Sequence, residues 1–137
     1  MGLILDSSVS IAAERQNKNA RQVLTAVAER IGEAEIGISA VTLIELAHGL
    51  VRADTPQRQA NRERFIQELL AAVPAYPVTV SIALRSGQID GQSQAKGLKI
   101  PLADSLIGVT ALELGYGVGT ANLRHFKQVP GLSVVHL

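Results

Sequence analysis

The stretch ARQVLTAVAERIGEAEIGISAVTLIELAHGL, residues 20–50, holds the alternation that decides the fold. Val23, Leu24, Val27 and Ile31 recur at helical spacing, and Gly32 closes that helix as a C-terminal stop. The apolar run at 36–38 then predicts a short strand. Ser39 stands where a side-chain oxygen can cap a helix over 40–52. Helix, strand and helix in one stretch point to a layered α/β structure with a parallel sheet. Upstream, residues 2–5 predict the first strand. Downstream, Thr55-Pro56 opens a helix over 57–72 that Pro74 closes, so the middle of the chain reads as a helical hairpin. Residues 76–78 predict a strand, and a helix from Thr79 or Ser81 to Lys96 stops at Gly97. Pro101 precedes an apolar helix over 103–114, ended by Gly115. Residues 116–119 predict a further strand and 133–135 an edge strand. The expectation is an α/β fold with residues 1–137 as a single domain, in which a central parallel sheet of four to five short strands is flanked by helices.

Composition narrows the chemistry. Aromatic residues are only 3% of the chain, so the core must be aliphatic. With no cysteine, disulfides, thiolate metal sites and cysteine nucleophiles are all excluded, and any metal must sit on oxygen or imidazole. The start MGLILDSSV carries no basic leader, and no stretch approaches the ~20 apolar residues of a membrane span. A soluble, cytoplasmic protein is expected. The net charge of +1 supplies no global field for nucleic acid, so RNA binding would need a local patch.

Three carboxylates stand out. Asp6 follows the first strand at the carboxyl end, where open parallel sheets place ligand sites, or else it simply caps the next short helix. Glu45 lies inside the apolar run ISAVTLIELAHGL, so it either points outward to water or is held by a cation. Asp104 opens the apolar helix ADSLIGVTALEL, where it suits either a metal or ordinary compensation of the helix dipole. Taken together, all three fall near strand-to-helix junctions or in the first turns of a helix, and in a parallel sheet such junctions share one edge. Converging carboxylates repel unless a divalent cation neutralises them, and hard oxygen ligands select magnesium or manganese over zinc. Such a site can activate water against a phosphodiester.

At these residues the sequence resembles the PIN domain and, within it, the VapC-type toxins of toxin–antitoxin pairs. LILDSSV (3–9) resembles the family's opening strand and first aspartate, and ISAVTLIELAHGL (38–50) its strand, helix and glutamate motif. GLKIPLADSLIGVTALELG (97–115) resembles the third motif, and GTANLRHF (119–126) with VPGLSVV (129–135) the terminal one. The resemblance implies a magnesium-dependent endoribonuclease, with manganese as a substitute ion, forming a homodimer and inhibited by a cognate antitoxin. It also implies Asp6, Glu45 and Asp104 as catalytic metal ligands, with Ser8 a hydrogen-bonding neighbour. Many relatives have an aspartate where this chain has Asn122, and a further acid where it has His125. A neutral amide can ligate through oxygen but adds no charge, so the resemblance implies weaker metal binding than in a four-carboxylate relative.

Other residues enter as lesser candidates. Ser8, Arg124 and His125 are candidates for substrate contact, the last two because their loop adjoins the expected active edge. His48, a turn beyond Glu45, either shares the site or faces solvent. Arg52, Arg58, Arg62 and Arg64 read as a basic strip or as solvated charges. Neutralising Asp6 or Asp104 is expected to raise stability without metal by relieving repulsion. Rival functions are a PIN relative that only binds RNA or protein, and a metal-free acid–base ribonuclease using His48 and His125. A phospho-accepting receiver domain fits poorly, since serines rather than a second acid follow Asp6.

Overall fold

A computed structural model describes residues 2–137. Five strands form one parallel sheet in the order β3-β2-β1-β4-β5. They are β1 (Gly2–Leu5), β2 (Glu35–Ser39), β3 (Ala75–Tyr76), β4 (Gly117–Thr120) and β5 (Val134–His136). The helices are α1 (Ser7–Arg15), α2 (Ala20–Ile31), α3 (Ala40–Val51), α4 (Pro56–Ala72), α5 (Val80–Ala95) and α6 (Leu102–Leu114). A short 3-10 turn covers Phe126–Gln128.

The central strand β1 is buried on both faces, as an apolar strand between two helical layers must be. Its side chains alternate. Leu3 and Leu5 pack with Val9 of α1, Val23 and Val27 of α2, Leu46 of α3 and Leu69 of α4. Ile4 faces the other way, onto Ile107 and Ala111 of α6 with Val118 and Phe126. An outer cluster of Ile82, Ile89, Ile100, Val109 and Val129 fixes α5 against α6. The core is aliphatic apart from Phe126, as the composition requires.

Most expected elements stand within one residue of their predicted bounds, and the differences have local causes. Residues 76–78 do not form the third strand, which is Ala75–Tyr76. Pro77 has no N–H to give a ladder, so pairing with Ile38 and Ser39 ends before it. The terminal strands sit one residue later than 116–119 and 133–135, which makes Thr120 the last residue of β4. Helix α1 was visible in the sequence only as the short helix that Asp6 might cap, and it runs two full turns. Gly115 ends α6 in the left-handed region at φ 70°, where a side chain would be strained. Gly108 of α6 serves packing: a Cβ there would press on Leu132 at 3.2 Å.

The chain builds β1, β2 and β3 toward one edge of the sheet, then places β4 and β5 on the other side of β1. The order therefore reverses between β1 and β4. The crevice outside the carboxyl ends of two such strands is where open α/β sheets take up ligands.

Candidate active site

Asp6 stands at that crevice. It caps α1 and retains only 5% of its surface exposed, so its carboxylate requires donors from the protein. Oδ2 accepts from Ser8 Oγ at 2.7 Å, from Thr120 Oγ1 at 3.0 Å and, at the long limit, from Ser8 N at 3.4 Å. Among the described residues no donor reaches Oδ1, which leaves that oxygen for an incoming group. The two alternatives read from the sequence, cap and site residue, thus coincide in one side chain.

Thr120 is fully buried at the end of β4. Its hydroxyl has one hydrogen to give, and an ionised Asp6 is the best acceptor within reach. In return it accepts from Asn122 N at 2.9 Å. The Ser8 hydroxyl accepts from Ala121 N at 3.0 Å while serving Asp6. Ser8 is therefore committed inside the protein. Its geometry is that of a strut beneath Asp6.

Glu45 is exposed in the middle of α3, on the side of Ile44 and His48, while Val41, Thr42 and Leu46 of the same apolar run are buried. Ser7, the first residue of α1, donates its hydroxyl to Glu45 Oε1 at 3.1 Å. Asp104 lies in the first turn of α6, which follows a coil rather than a strand. His125 Nδ1 stands 2.9 Å from Asp104 Oδ2. An ionised carboxylate only accepts, so the ring carries its hydrogen on Nδ1 and turns Nε2 outward.

Two of the three carboxylates are shifted. Desolvation raises the Glu45 pKa above the ordinary carboxylate range; the Ser7 hydrogen bond opposes the rise, and the charges of Asp6 and Asp104 add to it. Asp104 is raised as well, first by desolvation and next by Asp6, against the lowering effect of His125. Even so, among the described residues no three Asp, Glu or His side chains are gathered tightly enough to enclose an ion. Each acid has its own donor: Ser8 and Thr120 on Asp6, Ser7 on Glu45, His125 on Asp104. The donor set fits a hard divalent cation, since it is all oxygen, triply charged when ionised, partly desolvated and mutually repulsive.

The remaining candidates separate. The Asn122 amide oxygen takes the Arg124 backbone N–H at 3.4 Å, and no hydrogen bond joins its side chain to the three acids among the described residues. Arg124 is exposed beside it. His125 is a partner of Asp104 through Nδ1. His48 is exposed and lines a groove of about 1020 Å³ that leads from Ser7 and Glu45 between α1, α3 and α4. Its lining combines apolar Ile11, Ile44 and Phe65 with basic Arg15, Lys18 and Arg64 and acidic Glu68. Arg62 leaves the expected basic strip: it is half-buried and paired with Glu14 of α1. Sequence reasoning missed Ser7 and Thr120 as partners of the acids. Their contacts span 38 and 114 residues, which no local periodicity encodes.

Comparison with known proteins bears on the family and the fold. A family model described as the PIN domain matches residues 3–132. The chain is 29% identical over 135 residues to "Ribonuclease VapC1" of Rickettsia felis, covering 98% of this chain and 96% of that protein. It is 28% identical to the "tRNA(fMet)-specific endonuclease VapC" of Salmonella typhimurium over 71% of each chain. The fold superposes with a TM-score of 0.82 on a chain of VapBC2 from Rickettsia felis, crystallised with a DNA fragment from its promoter. That match covers 100% of this chain and 99% of the other at 19% identity. With the matched residues running from β1 through Asp6, Glu45 and Asp104 to the loop before β5, the chain belongs to the PIN domain family.

Proposed function

We propose that this protein is a metal-dependent endoribonuclease, the toxin of a toxin–antitoxin pair, in which Asp6, Glu45 and Asp104 hold magnesium or manganese. The observation that carries the reading is Asp6 at the sheet's reversal point with Glu45 and Asp104 near enough that its charge, after desolvation, raises both their pKa values, a cluster that a cation would relieve. When bound, the cation supplies Lewis acidity toward the phosphodiester and lowers the pKa of water.

The chain's own residues do the rest. Ser8 and Thr120 fix Asp6 so that Oδ1 faces the crevice, and His125 does the same for Asp104. Glu45 keeps Oε2 free, since Ser7 occupies Oε1, so that oxygen is available to the cation or to its water. Water adds to phosphorus and the 3′ oxygen departs, leaving a 5′-phosphate and a 3′-hydroxyl. Arg15, Lys18 and Arg64 in the groove lining give the RNA backbone a local cationic track despite the small net charge.

The Rickettsia and Salmonella relatives are named as ribonuclease and tRNA-specific endonuclease, which supports RNA as the substrate class. The VapBC complex supports a protein antitoxin as partner. The binding-only alternative rests on Asn122, whose amide oxygen takes the Arg124 backbone N–H and whose side chain makes no hydrogen bond to the three acids among the described residues; RNA cleavage by the purified protein decides between the two readings. Product-end analysis tests the chemistry: a 5′-phosphate is expected, and a 2′,3′-cyclic phosphate would contradict it in favour of acid–base cleavage.

A further inference from the structure

Helices α1 and α3 carry Asp6, Ser7 and Glu45, yet neither element alone sets the distance between them. They are tied at two levels on facing sides. The first tie is Ser7 Oγ to Glu45 Oε1. The second lies farther along each helix, at Glu14 and Gly49. Glu14 is seven residues past Ser7 and Gly49 four past Glu45, spacings that keep each pair on one helical face.

Arg62 of α4 makes the second tie. Nη2 holds Glu14 Oε1 at 2.8 Å and Oε2 at 2.6 Å, while Nη1 donates to the Gly49 carbonyl. That carbonyl is among the last four of α3 and has no partner within its helix, so the guanidinium also meets the negative end of the α3 dipole. The arrangement depends on glycine at position 49. A Cβ there would overlap the Arg62 guanidinium and push it off the carbonyl. Arg58, one turn earlier on α4, pairs with exposed Asp54 and, among the described residues, makes no hydrogen bond or ion pair to α1 or α3.

We propose that Arg62 is a positioning residue: by bridging Glu14 and Gly49 it holds α1 and α3 at the separation that keeps Glu45 within reach of Ser7 and of the Asp6 site. The proposal rests on the metal-site reading above. Its effect runs through the geometry of Glu45, so it falls on metal binding and turnover rather than on RNA affinity.

The test compares Arg62→Met, Gly49→Ala and Arg62→Lys with Arg58→Met as control. Manganese affinity is measured by calorimetry and kcat and KM on RNA, well below each variant's melting temperature. Arg62→Met and Gly49→Ala are expected to lose about 10- to 100-fold in manganese affinity or kcat with KM for RNA unchanged. Arg62→Lys, which keeps the charge but not the fork, should recover part of the loss. In a Glu45→Gln background the Arg62→Met effect should vanish. Undiminished metal affinity and kcat in Arg62→Met, or an effect that persists in Glu45→Gln, would overturn the proposal. If Arg62→Met fails to fold, Gly49→Ala carries the test. If the unaltered protein binds no manganese and cuts no RNA, the site reading fails on its own. Backbone NMR then decides the tie: amide shifts of Asp6, Ser7 and Glu45 must move in Gly49→Ala and stay in Arg58→Met.

Discussion

Replacing Thr120 with valine removes one oxygen from the floor of the site and keeps the side chain's shape. The lost hydroxyl donates to Asp6 Oδ2 at 3.0 Å and accepts from Asn122 N at 2.9 Å. Asn122 is exposed, so water can satisfy its amide; Asp6 is buried, so its carboxylate cannot recover the donor in that way. A hydrogen bond to a charged group contributes roughly 1.5–3 kcal/mol, which sets the expected loss of stability at about 2 kcal/mol. For a chain of this size each kcal/mol moves the melting temperature by about 4 °C, so a fall of about 8 °C is expected by calorimetry without metal. Metal affinity should drop about 10- to 100-fold, because only Ser8 then orients Asp6. Thr120→Ser separates hydroxyl from methyl. It should keep most of the metal affinity and lose about 1 kcal/mol for the buried carbon. Unchanged manganese affinity in Thr120→Val, or Thr120→Ser as impaired as valine, would refute the claim that this hydroxyl aims Asp6.

Asp6→Asn can still cap α1 and accept from Ser8, so its melting temperature should stay near that of the parent. The gain expected from relieving repulsion is offset by weaker hydrogen bonds. Asp6→Ala should cost about 1–2 kcal/mol by losing the cap, and equal stability of the two variants would show that the cap is idle. Without metal, acidification should stabilise the protein. Glu45 and Asp104 have folded pKa values above the ordinary range, so the folded state binds more protons than the unfolded one, and stability falls as pH rises through the raised values. Denaturant titrations at several pH values read this, and Glu45→Gln should flatten the slope. Removing His125 withdraws a donor that lowers the Asp104 pKa, so in His125→Ala this fall should extend to higher pH. An unchanged profile would detach the histidine from Asp104.

Much of this molecule can be read from local pattern. The helix over residues 20–31 follows from four apolar positions and Gly32, and Ser39, Thr55 and Thr79 cap the helices that follow them. The acids are legible because strand ends in a parallel sheet share an edge. What local pattern hides is how each acid is held. Ser7, Thr120 and His125 meet Glu45, Asp6 and Asp104 only through tertiary packing, and Arg62 reads as one more surface charge until α1 and α3 are placed around it. Asp6 was divided between cap and site because sequence offers these as alternatives. The fold lets one oxygen serve the protein and the other face the crevice.

The central claim is metal-dependent cleavage of RNA by Asp6, Glu45 and Asp104. Its most direct test is incubation of cellular RNA with the purified protein in magnesium or manganese, in EDTA, and with Asp6→Asn and Asp104→Asn prepared alongside. Discrete cuts that need the cation and vanish in both variants are the expected result; cutting that survives EDTA, or equal cutting by either variant, would contradict the account.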